Sequence, residues 1–262
     1  MAGRIITLTT DFGTVDHFAG TMKGVILSIR PTAQIVDITH EVQPFDVVDG
    51  AFVVAQAYRY FPKKTIHVIV VDPGVGSTRR PVLVEAAGHY FVAPDNGVLS
   101  MIFAAAKPRV WHITNQRYFL HPLSRTFHGR DVFAPVAAHL ASGIPPARFG
   151  QRIEDYLRLT FDKPSRSGKN VWTGTILKVD RFGNLATNLH IDEFAGVKTQ
   201  PFELKIARRA LSRLALTFTE CEPGEIFVIV GSSGYLEIAS NQSSAAKALG
   251  CGAGSPVALK IF

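Results

Sequence analysis

The loop after the apolar run 65–71 carries a carboxylate and a guanidinium that could act together. That run has the length and composition of a buried β-strand, so Asp72 stands at its carboxyl end, where open α/β sheets bind their ligands. Gly74 and Gly76 let the loop turn tightly, and Arg79 returns within reach of Asp72. Such a pair suits catalysis or ligand binding, although an Asp–Arg pair across a loop is more often a structural clamp.

Polar residues also follow other predicted strands of the first half. Asp11, the triplet Thr39-His40-Glu41 and the pair Asp95-Asn96 each come directly after a strand-like segment. If these strands are parallel, their carboxyl ends share one edge of the sheet, and these residues gather there with Asp72. Each residue alone is as well explained by a turn or a helix cap, but their shared placement predicts a site.

A histidine stands just before a predicted helix over residues 132–141. Asp131 has the position of the helix N-cap, which leaves His128 in the preceding loop and free to face a pocket. The alternative is an ordinary hydrogen-bonded loop histidine. The chain has 9 histidines, but no HExxH or similar ligand pair, so metal-dependent hydrolysis ranks low and we predict no metal site.

Strand-like and helix-like segments alternate through the first half of the chain. This order predicts an α/β domain over residues 1–163, with a mostly parallel sheet covered by helices on both faces. The predicted strands are 5–9, 34–38, 65–71, 82–85 and 89–92, and the predicted helices are 18–29, 47–60, 98–106 and 132–141.

A polar linker over residues 162–169 separates this part from a second half in which helical periodicity fades. Short strands divided by turns predict a smaller, β-barrel-like domain over residues 170–262, with one helix at 244–249. The predicted strands are 171–179, 202–206, 215–219, 226–230, 236–238 and 257–261.

Three turns of the second half carry groups that could bind a flat or anionic ligand. In the segment 180–184, Phe182 could stack on a base and Asn184 could read its edge, although a β-turn with a left-handed Gly183 explains the segment equally well. The segments 231–235 and 240–242 offer further hydroxyls, amides and backbone donors, which glycine–serine turns often carry without function.

The composition is that of a folded globular protein. The chain has 262 residues, 47% hydrophobic and 19% charged, and its apolar runs are too short to span a membrane. With no signal-peptide pattern, a cytoplasmic location is expected, where the 2 cysteines, Cys221 and Cys251, are predicted to be free thiols in or near a core. The net charge of +7 is scattered, so a nucleic-acid partner is not predicted.

Six motifs in a fixed order carry a specific resemblance that spans nearly the whole chain. They are Thr9-Thr10-Asp11-Phe12-Gly13-Thr14, Asp72-Pro73-Gly74-Val75-Gly76-Ser77, Ala93-Pro94-Asp95-Asn96-Gly97, Phe127-His128-Gly129-Arg130-Asp131, Asp180-Arg181-Phe182-Gly183-Asn184 and Ser240-Asn241. The chain resembles the S-adenosyl-L-methionine (SAM) hydroxide adenosyltransferases, or SAM hydrolases, relatives of the fluorinase and chlorinase. The resemblance implies the two-domain fold, a trimer with sites between subunits, and conversion of SAM and water to adenosine and methionine without a cofactor.

The resemblance also implies roles for individual residues. Asp72, Arg79 and His128 match the catalytic set of the family. The substrate-binding roles fall to Asp11 at the ribose hydroxyls, Asp16 and Asp180 around the methionine amine, Phe45 and Phe182 against the adenosine, Asn184 at the adenine, and Ser232 and Ser233 at the methionine carboxylate. Gly129, Ser240 and Gln242 complete the set of residues predicted to contact the substrate.

Two alternative functions remain open at this point. A halogenase acting on the same substrate is disfavoured because halogenases have a tyrosine where Asp72 stands, and the fluorinase has a serine where Gly129 stands. This chain also has Ser233 in place of a halogenase arginine and Phe18 in place of a hydroxyl residue. A non-catalytic adenosine- or SAM-binding protein would keep the ligand-holding residues but would not need Asp72, Arg79 and His128 together.

Overall fold

The structure, a computed structural model, describes residues 4–262 and divides the chain into two compact units. The first unit ends at Thr160 and the second begins at Phe161. The first contains the strands β1 (Ile5–Thr10), β2 (Gln34–Thr39), β3 (Ile66–Val70), β4 (Pro81–Ala86), β5 (His89–Pro94), β6 (Arg109–His112) and β7 (Arg152–Ile153). Its helices are α1 (Phe18–Ile29), α2 (Val47–Ala57), α3 (Ser100–Ala105) and α4 (Ala134–Ala141).

The sheet of the first unit is mixed, so the prediction of a mostly parallel sheet is wrong. Its strand order is β2-β1-β3-β5-β4-β6-β7, with parallel pairing from β2 to β5 and antiparallel pairing beyond. The reason lies at Ala87 and Gly88, which join β4 to β5 with φ values of 52° and 81°. A two-residue turn with two left-handed residues can connect only antiparallel neighbours.

Helices cover both faces of this sheet, as the alternation of strand and helix predicts. On one face Met22 and Ile26 of α1 and Leu140 of α4 pack in a core with Leu8 and Val68. On the other face α2 and α3 bury a second core, which includes Val54, Ile69 and Ile102. Burial on both faces fixes the strands rigidly and leaves their carboxyl ends as the place for polar loops.

Helix boundaries follow the sequence closely in two cases and depart from it in a third. Helix α1 spans the predicted residues, and the Asp46 side chain caps α2 by accepting from the Asp49 amide at 2.9 Å. Asp131, however, does not cap α4, because it lies inside a π-helical turn, Gly129–Phe133, that leads into α4. Its buried carboxylate instead accepts from the Ser124 amide at 2.8 Å and pairs with Arg130.

The second unit is built on one nine-stranded sheet that curls into a half-barrel around a large core, with a smaller buried cluster that includes Phe227 and Ile229. The strand order is β12-β11-β16-β9-β10-β15-β14-β13, with β8 paired to β9. The elements are β8 (Ser165–Gly168), β9 (Val171–Val179), β10 (Leu185–His190), β11 (Phe202–Ile206), β12 (Arg209–Leu211), β13 (Leu214–Ala215), β14 (Ile226–Val230), β15 (Tyr235–Ser240), β16 (Pro256–Ile261) and helix α5 (Ala245–Leu249).

Two further predictions concern the cysteines and membrane-spanning segments. Both cysteines are free thiols, with Cys221 buried and Cys251 partly buried. Between residues 4 and 262, no helix is long and apolar enough to cross a membrane.

A buried histidine pair should make the protein less stable in mild acid. His67 on β3 lies 2.8 Å from Thr7 Oγ1 and 3.4 Å from His89 on β5, and burial, followed by the charge of His89, lowers the pKa of His67 to about 3. Because an unfolded histidine titrates near pH 6.5, the unfolded chain binds the extra proton first. This one group should remove roughly 2 kcal/mol of the free energy of unfolding between about pH 6.5 and pH 5.

Urea denaturation at the two pH values measures this loss. His67→Gln cannot take up the proton, so its free energy of unfolding should fall less with acid than that of the parent protein. Equal losses in both proteins would contradict the assignment to His67.

Candidate functional site

The first unit holds a cavity of about 300 Å³ at the carboxyl edge of its parallel strands. We call it the first cavity. The charged or titratable groups of this cavity come from three predicted site residues, Asp11, Asp72 and His128. The rest of its lining is largely apolar and consists of Phe12, Phe18, Pro44, Phe45, Val70, Val75, Thr126, Phe127 and Gly129. A few polar groups converging in an apolar cavity are typical of a small-molecule site.

Asp72, Arg79 and His128 form one hydrogen-bonded group. Arg79 Nε donates to Asp72 Oδ1 at 2.8 Å, and Arg79 Nη2 donates to Asp72 Oδ2. The same Nη2 lies 2.8 Å from His128 Nδ1. The side chains of Arg79 and Asp72 are only 8% and 5% exposed, so this bidentate pair is held in a largely water-free environment.

The contact with Arg79 fixes the state of the histidine ring. A guanidinium nitrogen can only donate, so His128 Nδ1 must accept and the ring hydrogen lies on Nε2. Burial, and after it the charge of Arg79, lowers the pKa of His128, which keeps the ring neutral at neutral pH. Arg79 Nη1 is buried without a hydrogen-bond partner among residues 4–262, so one donor of the group is left for a ligand or water.

Close backbone packing brings the two loops of this group together. Gly76 has a φ of +76°, and a Cβ built there would lie 2.3 Å from the carbonyl oxygen of Arg125, in the loop that leads to His128. Only glycine allows this approach. Asn96 Nδ2 donates to the Val71 carbonyl at 2.8 Å, directly before Asp72, so it supports the strand end. Arg80 and Asp95 form a separate ion pair at 2.7 Å nearby.

Asp11 and Phe45 meet at the opening of the first cavity. Phe45 is 73% exposed and has a φ of +66°, which is unusual for an aromatic residue. Its amide donates to Asp11 Oδ2 at 2.9 Å. Burial is the main cause that raises the pKa of Asp11, and the Phe45 amide opposes it. Asp16, also predicted at the site, is exposed in the segment before α1 and does not line the cavity.

Gly129 is surrounded by apolar atoms. A Cβ at this position would lie 3.1 Å from Met22 Sδ, 3.1 Å from Phe127 and 3.5 Å from Phe12. A serine there would therefore have to displace its neighbours before its hydroxyl could reach a ligand.

The second unit holds a larger cavity of about 620 Å³, which we call the second cavity. The predicted residues Phe182, Asn184, Ser240 and Gln242 all line it. Sequence reasoning missed Phe218, whose ring is 41% exposed and lines the same cavity, because no motif surrounds it. The other lining residues are Asn241, Ser243 and Ser244.

Asp180 organises the turn that carries the two main binding candidates. Its Oδ1 accepts from the Phe182 amide at 2.9 Å and the Asn184 amide at 2.8 Å, and its Oδ2 accepts from Asn184 Nδ2 at 2.8 Å. Gly183 has a φ of +87°, as the β-turn interpretation predicts. This network turns the Nδ2 of the Asn184 side chain toward Asp180. The Asn184 Oδ1 is then available to accept a hydrogen bond from a ligand.

Ser232 and Ser233 are not brought to the second cavity. They lie in the turn between β14 and β15, next to Gly231. The side chain of Glu237 packs against Gly231. Burial, with the nearby charge of Asp180, raises the pKa of Glu237, a residue that the sequence motifs did not single out. Among residues 4–262, no group of three or more His, Cys, Asp or Glu side chains is arranged to hold a metal ion.

Comparison with known proteins identifies the family. The SAM hydroxide adenosyltransferase N-terminal domain matches residues 6–150, and the corresponding C-terminal domain matches residues 174–258. A protein of Salinispora tropica named (R)-S-adenosyl-L-methionine hydrolase is 39% identical, covering 94% of this chain and 93% of its own length. A fluorinase from an Actinoplanes species is 30% identical over 90% of this chain and 91% of its own.

A solved structure extends the comparison to three dimensions. An uncharacterized conserved protein from Thermotoga maritima superposes with a TM-score of 0.91 at 37% identity, covering 98% of this chain and 99% of that one. With both halves of the chain matched by one family, the protein belongs to the SAM hydroxide adenosyltransferase family.

Proposed function

We propose that this protein hydrolyses S-adenosyl-L-methionine to adenosine and L-methionine, and that its substrate is the (R) sulfonium form named for its relatives. The observation that carries the proposal is the buried group of Asp72, Arg79 and His128 on the first cavity. In the reaction the bond between the ribose C5′ and sulfur breaks, a bond between C5′ and a water oxygen forms, and one proton is released. Methionine leaves as a neutral thioether, so the reaction needs no general acid.

The hydrogen bonds of Asp72, Arg79 and His128 support a different role for each residue. His128 carries its hydrogen on Nε2, which can donate to the Ser124 backbone or to the attacking water but cannot take up its proton, and Arg79 Nη1 is a further donor without a partner among residues 4–262. Asp72 is therefore the group's proton acceptor. Water becomes strongly acidic as its oxygen bonds to carbon, so the Asp72 carboxylate can take the proton while Arg79 holds both of its oxygens. Positioning of the water supplies much of the rate enhancement.

The remaining contacts fit an adenosyl sulfonium. The Asp11 carboxylate can accept from the two ribose hydroxyls while it keeps its bond to the Phe45 amide. The rings of Phe12, Phe18 and Phe127 pack with centroids 5.1 to 5.8 Å apart, Phe127 edge to face with the other two, and can face a cationic sulfur.

In the second unit, the exposed rings of Phe182 and Phe218 suit stacking on adenine, and Asn184 Oδ1 can accept from the adenine amino group. Asp16 and Asp180 at the methionine amine, Ser232 and Ser233 at the methionine carboxylate, and contacts by Gly129, Ser240 and Gln242 complete the proposed site.

We expect a trimer in which each ligand lies between two chains. The resemblance to the family implies a trimer, and the proposed contacts belong to cavities of different units. Sedimentation should give a trimer, whereas a monomer that keeps full activity would contradict this expectation.

A single incubation distinguishes the proposal from its alternatives. Purified protein is mixed with (R)-SAM in buffers with fluoride, chloride or neither, with and without a chelator, and products are separated by chromatography. We expect adenosine and methionine in equal amounts in every buffer, without a halogenated nucleoside. A halogenated product would instead indicate a halogenase, and tight SAM binding without turnover would indicate a binding protein. Activity lost in chelator and restored by a divalent ion would contradict metal independence.

A further inference from the structure

One buried polar side chain at the carboxyl edge of the first sheet has no part in the proposed chemistry. His40 is 6% exposed and directly follows β2, the neighbour of β1. The register between β1 and β2 shifts there, because Leu8 pairs with Asp37 whereas Thr9 pairs with Thr39, so Ile38 is an extra residue. Such a bulge redirects the side chains that follow it and is common beside active sites.

The bulge lets the histidine side chain bind both strand ends. His40 Nδ1 lies 2.9 Å from Thr10 Oγ1, and Nε2 lies 3.1 Å from Asp37 Oδ1. Asp37 Oδ2 in turn lies 2.5 Å from Lys23 Nζ on α1. Thr10 Oγ1 also accepts from the Phe12 amide at 3.3 Å, so its own hydrogen is free to point to His40 Nδ1. The imidazole hydrogen is thus on Nε2, which lies near Asp37 Oδ1 but has no hydrogen bond of good geometry among residues 4–262.

These bonds hold the residues on both sides of Asp11. Thr10 before it is bonded to the His40 ring, and the Phe12 amide after it is bonded to the Thr10 hydroxyl. The backbone oxygen of His40 also accepts from the Gly13 amide at 2.7 Å. The short segment that presents Asp11 to the first cavity is therefore hydrogen-bonded to both the side chain and the main chain of His40.

We infer that His40 is a positioning residue, which fixes the Asp11 carboxylate where it accepts from the ribose hydroxyls of the substrate. The inference rests on the proposed function, since it assigns Asp11 to the ribose. Without the imidazole, the hydrogen of the buried Thr10 hydroxyl loses its acceptor, and the turn after β1 can shift. Because hydrogen bonds are short-ranged and directional, a small shift of Asp11 weakens both ribose contacts at once.

The chain contains a matched control for this inference. His67 is also buried, and its Nδ1 also meets a threonine hydroxyl of β1, at 2.8 Å from Thr7, but it does not line the first cavity. His40→Ala should weaken adenosine binding in calorimetry about tenfold or more and raise KM for SAM in proportion. His67→Ala should lower Tm without changing adenosine affinity. His40→Gln, which can keep a bond to Thr10, should recover most of the affinity.

A double-variant comparison tests whether His40 acts through Asp11. With Asp11→Asn already present, His40→Ala should produce little further loss of adenosine affinity, whereas an additive loss would overturn the inference. Unchanged affinity in folded His40→Ala would also overturn it. If His40→Ala does not fold, Thr10→Val is measured instead, because it removes the bond to His40, together with the bond from the Phe12 amide, with little change of volume. A parent protein that neither binds adenosine nor turns over SAM overturns the proposed function itself.

Discussion

Asp72→Asn should lower single-turnover hydrolysis of SAM by about 10²-fold or more, the usual scale of acid–base contributions. The change keeps the size of the side chain but removes its charge and its capacity to accept the proton. Adenosine affinity, measured by calorimetry, should change much less, because Asp11, Phe182 and Asn184 would still contact the nucleoside. His128→Ala should lower the rate in the same direction, since the attacking water loses a donor.

A matched ion pair separates catalysis from structure. Asp72→Asn also leaves the buried Arg79 guanidinium without its counter-charge, which is destabilising by itself. Arg80 pairs with Asp95, and also with Asp155, at the same sheet edge, but neither Arg80 nor Asp95 lines the first cavity. Asp95→Asn should therefore lower Tm without a comparable loss of turnover. A folded Asp72→Asn protein with near-normal turnover would remove Asp72 from the mechanism.

Gly76→Ala should be the most damaging substitution outside the chemical groups. The added Cβ would lie 2.3 Å from the Arg125 carbonyl oxygen, and the φ of +76° is already unfavourable for alanine. The loop of Asp72 and Arg79 must then move away from the loop of His128, which lengthens the 2.8 Å contact between Arg79 Nη2 and His128 Nδ1. A misplacement of about 1 Å can reduce turnover about 10²-fold.

Gly254→Ala measures the backbone strain alone. Gly254 has a similar φ of +80°, but a Cβ there would meet no atom of residues 4–262 within 4 Å. Its substitution should lower the free energy of unfolding by about 1–2 kcal/mol, the usual penalty of a left-handed alanine, and should leave turnover unchanged. If Gly76→Ala has the same mild effect, the close approach of the two loops is not needed for activity.

The sequence contains enough information to place the main polar residues of the first unit. An apolar run with a defined end predicts a strand, and parallel strands must present their carboxyl ends at one edge, which explains why Asp11 and Asp72 line one cavity. Helix α1 was equally predictable from its apolar periodicity. Arg79 was also predictable, because it shares a loop with Asp72.

Features that depend on tertiary contacts could not be predicted in this way. The left-handed backbone at Ala87, in the turn that sets the direction of β4, is one such feature, because alanine gives no turn signal, although the neighbouring Gly88 does. Asp131 has the sequence position of a cap, but the Ser124 amide and Arg130 engage it inside a π-helical turn. Phe218 reaches the second cavity without any motif around it.

Hydrolysis in water enriched in ¹⁸O tests the central claim most directly. If water attacks the ribose C5′, mass spectrometry of the adenosine should find one ¹⁸O at the 5′ position and none in the methionine. The label should appear in a single turnover, with Asp72→Asn slowing its incorporation and His67→Ala leaving its rate unchanged. Adenosine that forms without the label, or SAM that is bound but never converted, would contradict the account.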